Sequence, residues 1–166
     1  MRKISLISML IAISMCIFLI ESQIPVPVPF PGVKCGLSNV LVLVTMILLD
    51  RKSAAAVLFL RIILSGVILG HGMSVIYSLF GGVLAYLVMS CLIRPMKEYT
   101  WAVSVFGALA HNTGQMIAAW IFLGSPVLSY YPILIISAVI TGVFTGIPSQ
   151  FIIKNHTIKK LFGGIR

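Results

Sequence analysis

From Ile4 onward the chain runs in apolar segments about as long as a bilayer is thick, and its charged residues fall almost wholly in the gaps between them. A hydrocarbon core about 30 Å thick takes about 20 mostly apolar residues in a helix. Inside it, every backbone N–H and C=O must find its partner within the protein. The pattern predicts six helices, at about 4–22, 36–49, 53–70, 74–93, 101–123 and 131–153. Only 9% of the residues are charged, against about 25% in a soluble domain, so a water-facing surface could not be covered. The expected fold is an all-α integral membrane protein, one six-helix transmembrane domain over residues 1–166.

The net charge is +9, from twelve Lys/Arg against three acids. In a soluble protein such an excess would point to nucleic acid. Here placement explains it. With the N-terminus inside, Arg2, Lys3, Arg51, Lys52, Arg94, Lys97, Lys154, Lys159, Lys160 and Arg166 all lie on the inner side. Lys34 alone lies outside, and Arg61 lies within a span. This is the positive-inside pattern. It predicts both termini in the cytoplasm, a multi-pass location in the cell membrane, and no nucleic-acid partner. The first apolar run lacks an A-x-A-like cleavage site, so it reads as a retained helix rather than a signal peptide. Cys16, Cys35 and Cys91 are too far apart for a CxxC metal site or a disulfide framework, and read as small apolar residues.

A charge at bilayer depth costs about 2.5–3.5 kcal/mol even on lenient insertion scales. Arg61 lies roughly 12 Å from the inner end of its span at ~1.5 Å per residue. It reads as a ligand or counter-ion contact, or as a partner of Glu21. The stretch "QIPVPVPFPGVKCGLSN", residues 23–39, refuses helix because proline fixes φ. It predicts a stiff outer connector that delivers Lys34 to the start of the second helix, at about Cys35 or Gly36. Helix N-termini attract anions, so Lys34, with Asn39 one turn deeper, forms a candidate anion site. In "AHNTGQ", residues 110–115, His111 and Gln115 are four apart and share a helix face, with Asn112 beside them. They suit polar ligand atoms or hydrogen bonds to neighbouring helices. No metal site and no cofactor is expected. His71 and His156 are assigned no role.

Small residues recur every four positions at Ser8, Ala12 and Cys16, and again at Ala138, Gly142 and Gly146. Such stripes let helices approach closely. The first could face another membrane subunit.

The segments "PGVKCGLSN", "RIILSGVILG", "YSLFGGVLAYLVM" and "HNTGQ", in this order, resemble the Gx transporter family, also labelled heptaprenyl diphosphate synthase component I. The resemblance runs from about Pro25 to Phe151. That family is similar to the substrate-binding S components of energy-coupling factor (ECF) importers. The resemblance implies an ECF S-component-like bundle with an outward-facing pocket for a small organic substrate. It implies a first helix that docks on a transmembrane coupling subunit working with ATPases. The docking stripe of S components is typically A-x-x-x-A, and here Ser8, Ala12 and Cys16 stand in its place. Pocket candidates by this resemblance are Lys34, Asn39, Arg61, His111, Asn112 and Gln115.

The synthase label implies a different partner, a soluble prenyl synthase subunit. Prenyl diphosphate synthases hold Mg²⁺ through clustered aspartates, and this chain has Asp50 alone. It is therefore read as not itself an enzyme. It would present or bind an isoprenoid- or quinone-related lipid, with Lys34 or Arg61 on an anionic head. No G-x-x-x-x-G-K-[ST] loop is present, so energy for transport would come from a partner or a gradient.

Overall fold

The computed structural model describes residues 2–23, 36–70 and 72–158. The proline connector, Lys34 and His71 lie outside them. Among the described residues six α-helices follow in chain order: α1 Arg2–Glu21, α2 Asn39–Leu48, α3 Arg51–Leu69, α4 Gly72–Leu92, α5 Thr100–Leu123 and α6 Tyr131–Lys154. A 3-10 helix, Ser125–Tyr130, leads into α6, and no strand occurs among the described residues.

Three helical segments are long and apolar enough to cross a membrane: Lys3–Glu21, Gly72–Leu92 and Ser125–Lys154. The reason the others differ is local. α2 has 10 residues, about 15 Å of helix. α3 has 19 residues but carries three cations, Arg51, Lys52 and Arg61, and α5 has 24 but carries His111, Asn112 and Gln115.

Each boundary has a chemical cause. Asp50 caps α3, its carboxylate accepting from the Ser53 N–H at 2.7 Å. Gly70 ends α3 in the left-handed region, φ 65°, with its N–H on Gly66 O. α2 begins at Asn39, three residues later than the sequence predicts, because Gly36 takes φ 84° and the chain turns through Leu37 and Ser38 first.

α5 is the central helix, packed along α4 on one side and α6 on the other. Both contacts are made close by glycine. A Cβ on Gly114 would stand 2.5 Å from the Phe80 carbonyl oxygen, and one on Gly142 would stand 2.6 Å from Val105 Cα. Ala138, Gly142 and Gly146 are all buried on α6, so this stripe serves packing within the bundle. α1 lies against α3 and α2. Its Ser8, Ala12 and Cys16 face away from the bundle and are exposed.

The bundle has one basic end. Lys3 pairs with Asp50 at 2.7 Å, Arg51 donates to Ser90 O at 2.7 Å, and Gln150 donates to Glu98 O at 3.3 Å. These bonds gather the start of α1, the α2–α3 turn, the α4–α5 loop and the end of α6. Arg94, Lys97 and Lys154 belong to the same end.

Candidate functional site

At the opposite end of α2 the buried charges meet. Glu21 is the last residue of α1 and only 2% exposed. A carboxylate at a helix C-terminus faces the negative end of that helix dipole. The start of α2 compensates. The N–H groups of Gly36, Leu37 and Ser38 all donate to the Glu21 carboxylate, the last two at 3.2 and 3.3 Å. The sequence predicts that the N-terminus of α2 attracts an anion. The anion it holds is the protein's own.

Arg61 is likewise 2% exposed. One terminal nitrogen donates to Ser38 Oγ, the other to Asn39 Oδ1 at 3.1 Å. Its guanidinium carbon lies 5.9 Å from the centroid of the Phe18 ring on α1, within cation–π range. Ser38 thus stands between the two charges: its N–H serves Glu21 and its hydroxyl serves Arg61. The charges sense each other across one residue.

His111 enters from α5. Gln115 Nε2 lies 2.9 Å from His111 Nε2, and with the amide nitrogen donating, the imidazole proton sits on Nδ1. The ring fits between two glycines. A Cβ on Gly36 would lie 2.8 Å from His111 Cδ2, and one on Gly81 would lie 2.8 Å from Nδ1 and Cε1. The same Gly36 Cβ would lie 3.1 Å from Asn39 Nδ2, so the Asn39 amide and the imidazole flank one backbone position. Two donors of this cluster are buried without a hydrogen-bond partner, Asn39 Nδ2 and Arg61 Nε, while the His111 imidazole meets the Gly81 backbone.

Asn39, Arg61, His111 and Gln115 therefore come together. Asn112 does not join them. Its Nδ2 donates to Leu134 O at 2.8 Å and to Ser137 Oγ at 3.3 Å, turned toward α6. Lys34 falls outside the described residues. Ser38 and Phe18 complete the cluster and were not singled out from the sequence. The signal for Ser38 was present, a Ser-Asn pair just ahead of an apolar run. Among the described residues, no group of three or more His, Cys, Asp or Glu is placed to hold a metal ion.

A family model described as heptaprenyl diphosphate synthase component I matches residues 10–152. The chain belongs to that family. The match takes in Glu21, Ser38, Asn39, Arg61, His111 and Gln115, so the whole buried cluster lies within the family segment. No curated protein and no solved structure matches the chain.

Proposed function

We propose that this member of the heptaprenyl diphosphate synthase component I family is a substrate-binding membrane subunit with six spans and both termini in the cytoplasm. It captures a small organic, anionic or isoprenoid-related molecule from the outer face. The observation that carries this reading is the pair of unpartnered donors on Asn39 and Arg61, beside the buried His111 imidazole. Buried polar atoms without partners cost about 1–3 kcal/mol each, so their gathering at one place favours a ligand that completes them. They offer two donors, one from a cation and one from an amide. That set fits carboxylate, phosphate or quinone carbonyl oxygens. Lys34 precedes Gly36 by two residues and would add a second cation at the entrance. The exposed stripe of Ser8, Ala12 and Cys16 on α1 would face a transmembrane coupling subunit that works with ATPases.

The test is native mass spectrometry of the purified protein, wild type beside Arg61→Lys and Asn39→Ala. The expected result is a small molecule retained by wild type and lost from both variants at a temperature where circular dichroism shows all three proteins folded. Equal spectra from all three would refute a binding role for the cluster.

The family description favours a second reading, an accessory and non-catalytic subunit of a prenyl diphosphate synthase. Co-purification separates the two. A transport subunit brings down ATPases and a coupling protein, whereas an accessory subunit brings down a soluble aspartate-rich synthase.

A further inference from the structure

The basic end of the bundle holds a cleft of about 300 Å³, lined by Met46, Ile47, Ile93, Arg94, Lys97 and Thr100. It lies at the far end of α2 from the Glu21–Arg61 cluster. Its lining sorts by chemistry. Met46, Ile47 and Ile93 make an apolar floor, and Arg94 and Lys97 stand exposed at the rim. Thr100 is the first residue of α5. Here the first N–H groups of a helix have no intrahelical acceptor, and Tyr99 supplies no side-chain cap. Independently, Thr100 is only 3% exposed, and its Oγ1 has no hydrogen-bond partner although it lines the cleft. A buried hydroxyl left unpaired in an otherwise apolar corner marks the place of a missing acceptor.

We infer that this cleft binds an amphiphile with a net-anionic phosphate head. The phosphate lies between Arg94 and Lys97, accepts from Thr100 Oγ1, and faces the N-terminus of α5. The hydrocarbon chain runs over Met46, Ile47 and Ile93. An apolar floor beside two cations rules against a free inorganic anion as the preferred ligand, because the floor would gain nothing from it. Glu98 lies in the same loop, exposed and outside the lining, and opposes the anion at longer range. This chemistry has two sources, an anionic membrane phospholipid or a soluble prenyl diphosphate. The inference stands apart from the Arg61 cluster.

The experiment titrates the full-length protein in neutral detergent, read by native mass spectrometry. Phosphatidylglycerol and farnesyl diphosphate are the probes, and phosphatidylcholine is the comparator. Wild type should retain a net-anionic probe over zwitterionic phosphatidylcholine by about tenfold, and Arg94→Ala/Lys97→Ala should lose about thirtyfold, at roughly 1 kcal/mol per basic residue. Thr100→Val should weaken binding several-fold with no loss of melting temperature, since Thr100 Oγ1 has no protein partner to lose. Lys52→Ala/Lys154→Ala removes the same charge from the same end outside the cleft and should leave retention within about twofold. Phosphatidylglycerol that resists displacement by farnesyl diphosphate identifies the membrane source, and ready displacement identifies the soluble one. Unchanged retention in Arg94→Ala/Lys97→Ala, equal losses in both double variants, or no preference over phosphatidylcholine would each overturn the inference.

Discussion

At the scale of single residues, this chain is governed by two buried charges that do not touch. Glu21 is held by backbone N–H groups and Arg61 by Ser38 and Asn39, with Ser38 shared. Removing one charge of a buried pair leaves the other uncompensated, at about 3–5 kcal/mol. Through an intervening residue the loss should be about 2–3 kcal/mol. Glu21→Gln and Arg61→Met should therefore each lower the melting temperature, and the double variant should recover part of the combined loss. Thermal unfolding in detergent reads all three, and strictly additive losses would mean the charges are independent. Asp50, in the turn between α2 and α3, behaves differently. Its hydrogen bond from Lys3 and that from the Ser53 N–H lower its carboxyl from 3.8 to about 2. A lowered folded pKa means the folded state binds fewer protons, so the stabilisation is complete above about pH 4 and lost as pH falls toward 2. Both side chains of the pair are more than a third exposed, which limits the effect to about 1 kcal/mol. Asp50→Asn keeps the cap and should melt about 2 °C lower than wild type at pH 6, converging with it near pH 2. A gap that persists at pH 2 would place its origin elsewhere.

At the scale of helices, close approach decides what is tolerated. Gly114→Ala drives a methyl against the Phe80 carbonyl, a backbone atom that cannot swing aside. Gly72→Ala meets nothing within 4 Å at the start of α4. The first should cost about 2 kcal/mol or more by overpacking, and the second should be neutral within about 0.5 kcal/mol. Similar melting temperatures for both would refute the close α4–α5 contact. This contrast also marks how far sequence reading reaches. Apolar runs and the charges between them made an all-helical chain legible, because length and polarity are properties of each segment alone. Arg61 and the His111–Gln115 pair stood out for the same reason, being polar where the chain is otherwise apolar. What a helix face meets was not legible. His111 and Asn112 are adjacent, yet a helix turns about 100° per residue, so one faces Gly36 and Gly81 and the other faces Leu134. The anion at the start of α2 was hidden because it comes from 15 residues earlier, and Gly36 shifts the helix start.

At the scale of the whole molecule, orientation decides which face the buried cluster serves. Lys3, Arg51, Lys52, Arg94, Lys97 and Lys154 share one end, and juxtamembrane Lys and Arg set orientation toward the cytoplasm. The cluster of Glu21, Ser38 and Arg61 lies toward the other end, and so opens outward in the proposed arrangement. Single cysteines test this directly. On a background of Cys16→Ser, Cys35→Ala and Cys91→Ser, the exposed positions Lys52 and Lys97 mark the basic end, and exposed Ser125 marks the other. A membrane-impermeant maleimide applied to intact cells should label Ser125→Cys at once. It should label Lys52→Cys and Lys97→Cys only after permeabilisation. The reverse pattern would turn the cluster toward the cytoplasm, where it could not capture a molecule from outside. The accessory-subunit reading would then gain, since a soluble synthase works on that side, and the Arg94–Lys97 cleft would face outward, away from any prenyl diphosphate made in the cell. One labelling experiment thus ranks the two functions, and its reverse outcome would also leave membrane phospholipid as the source of the amphiphile.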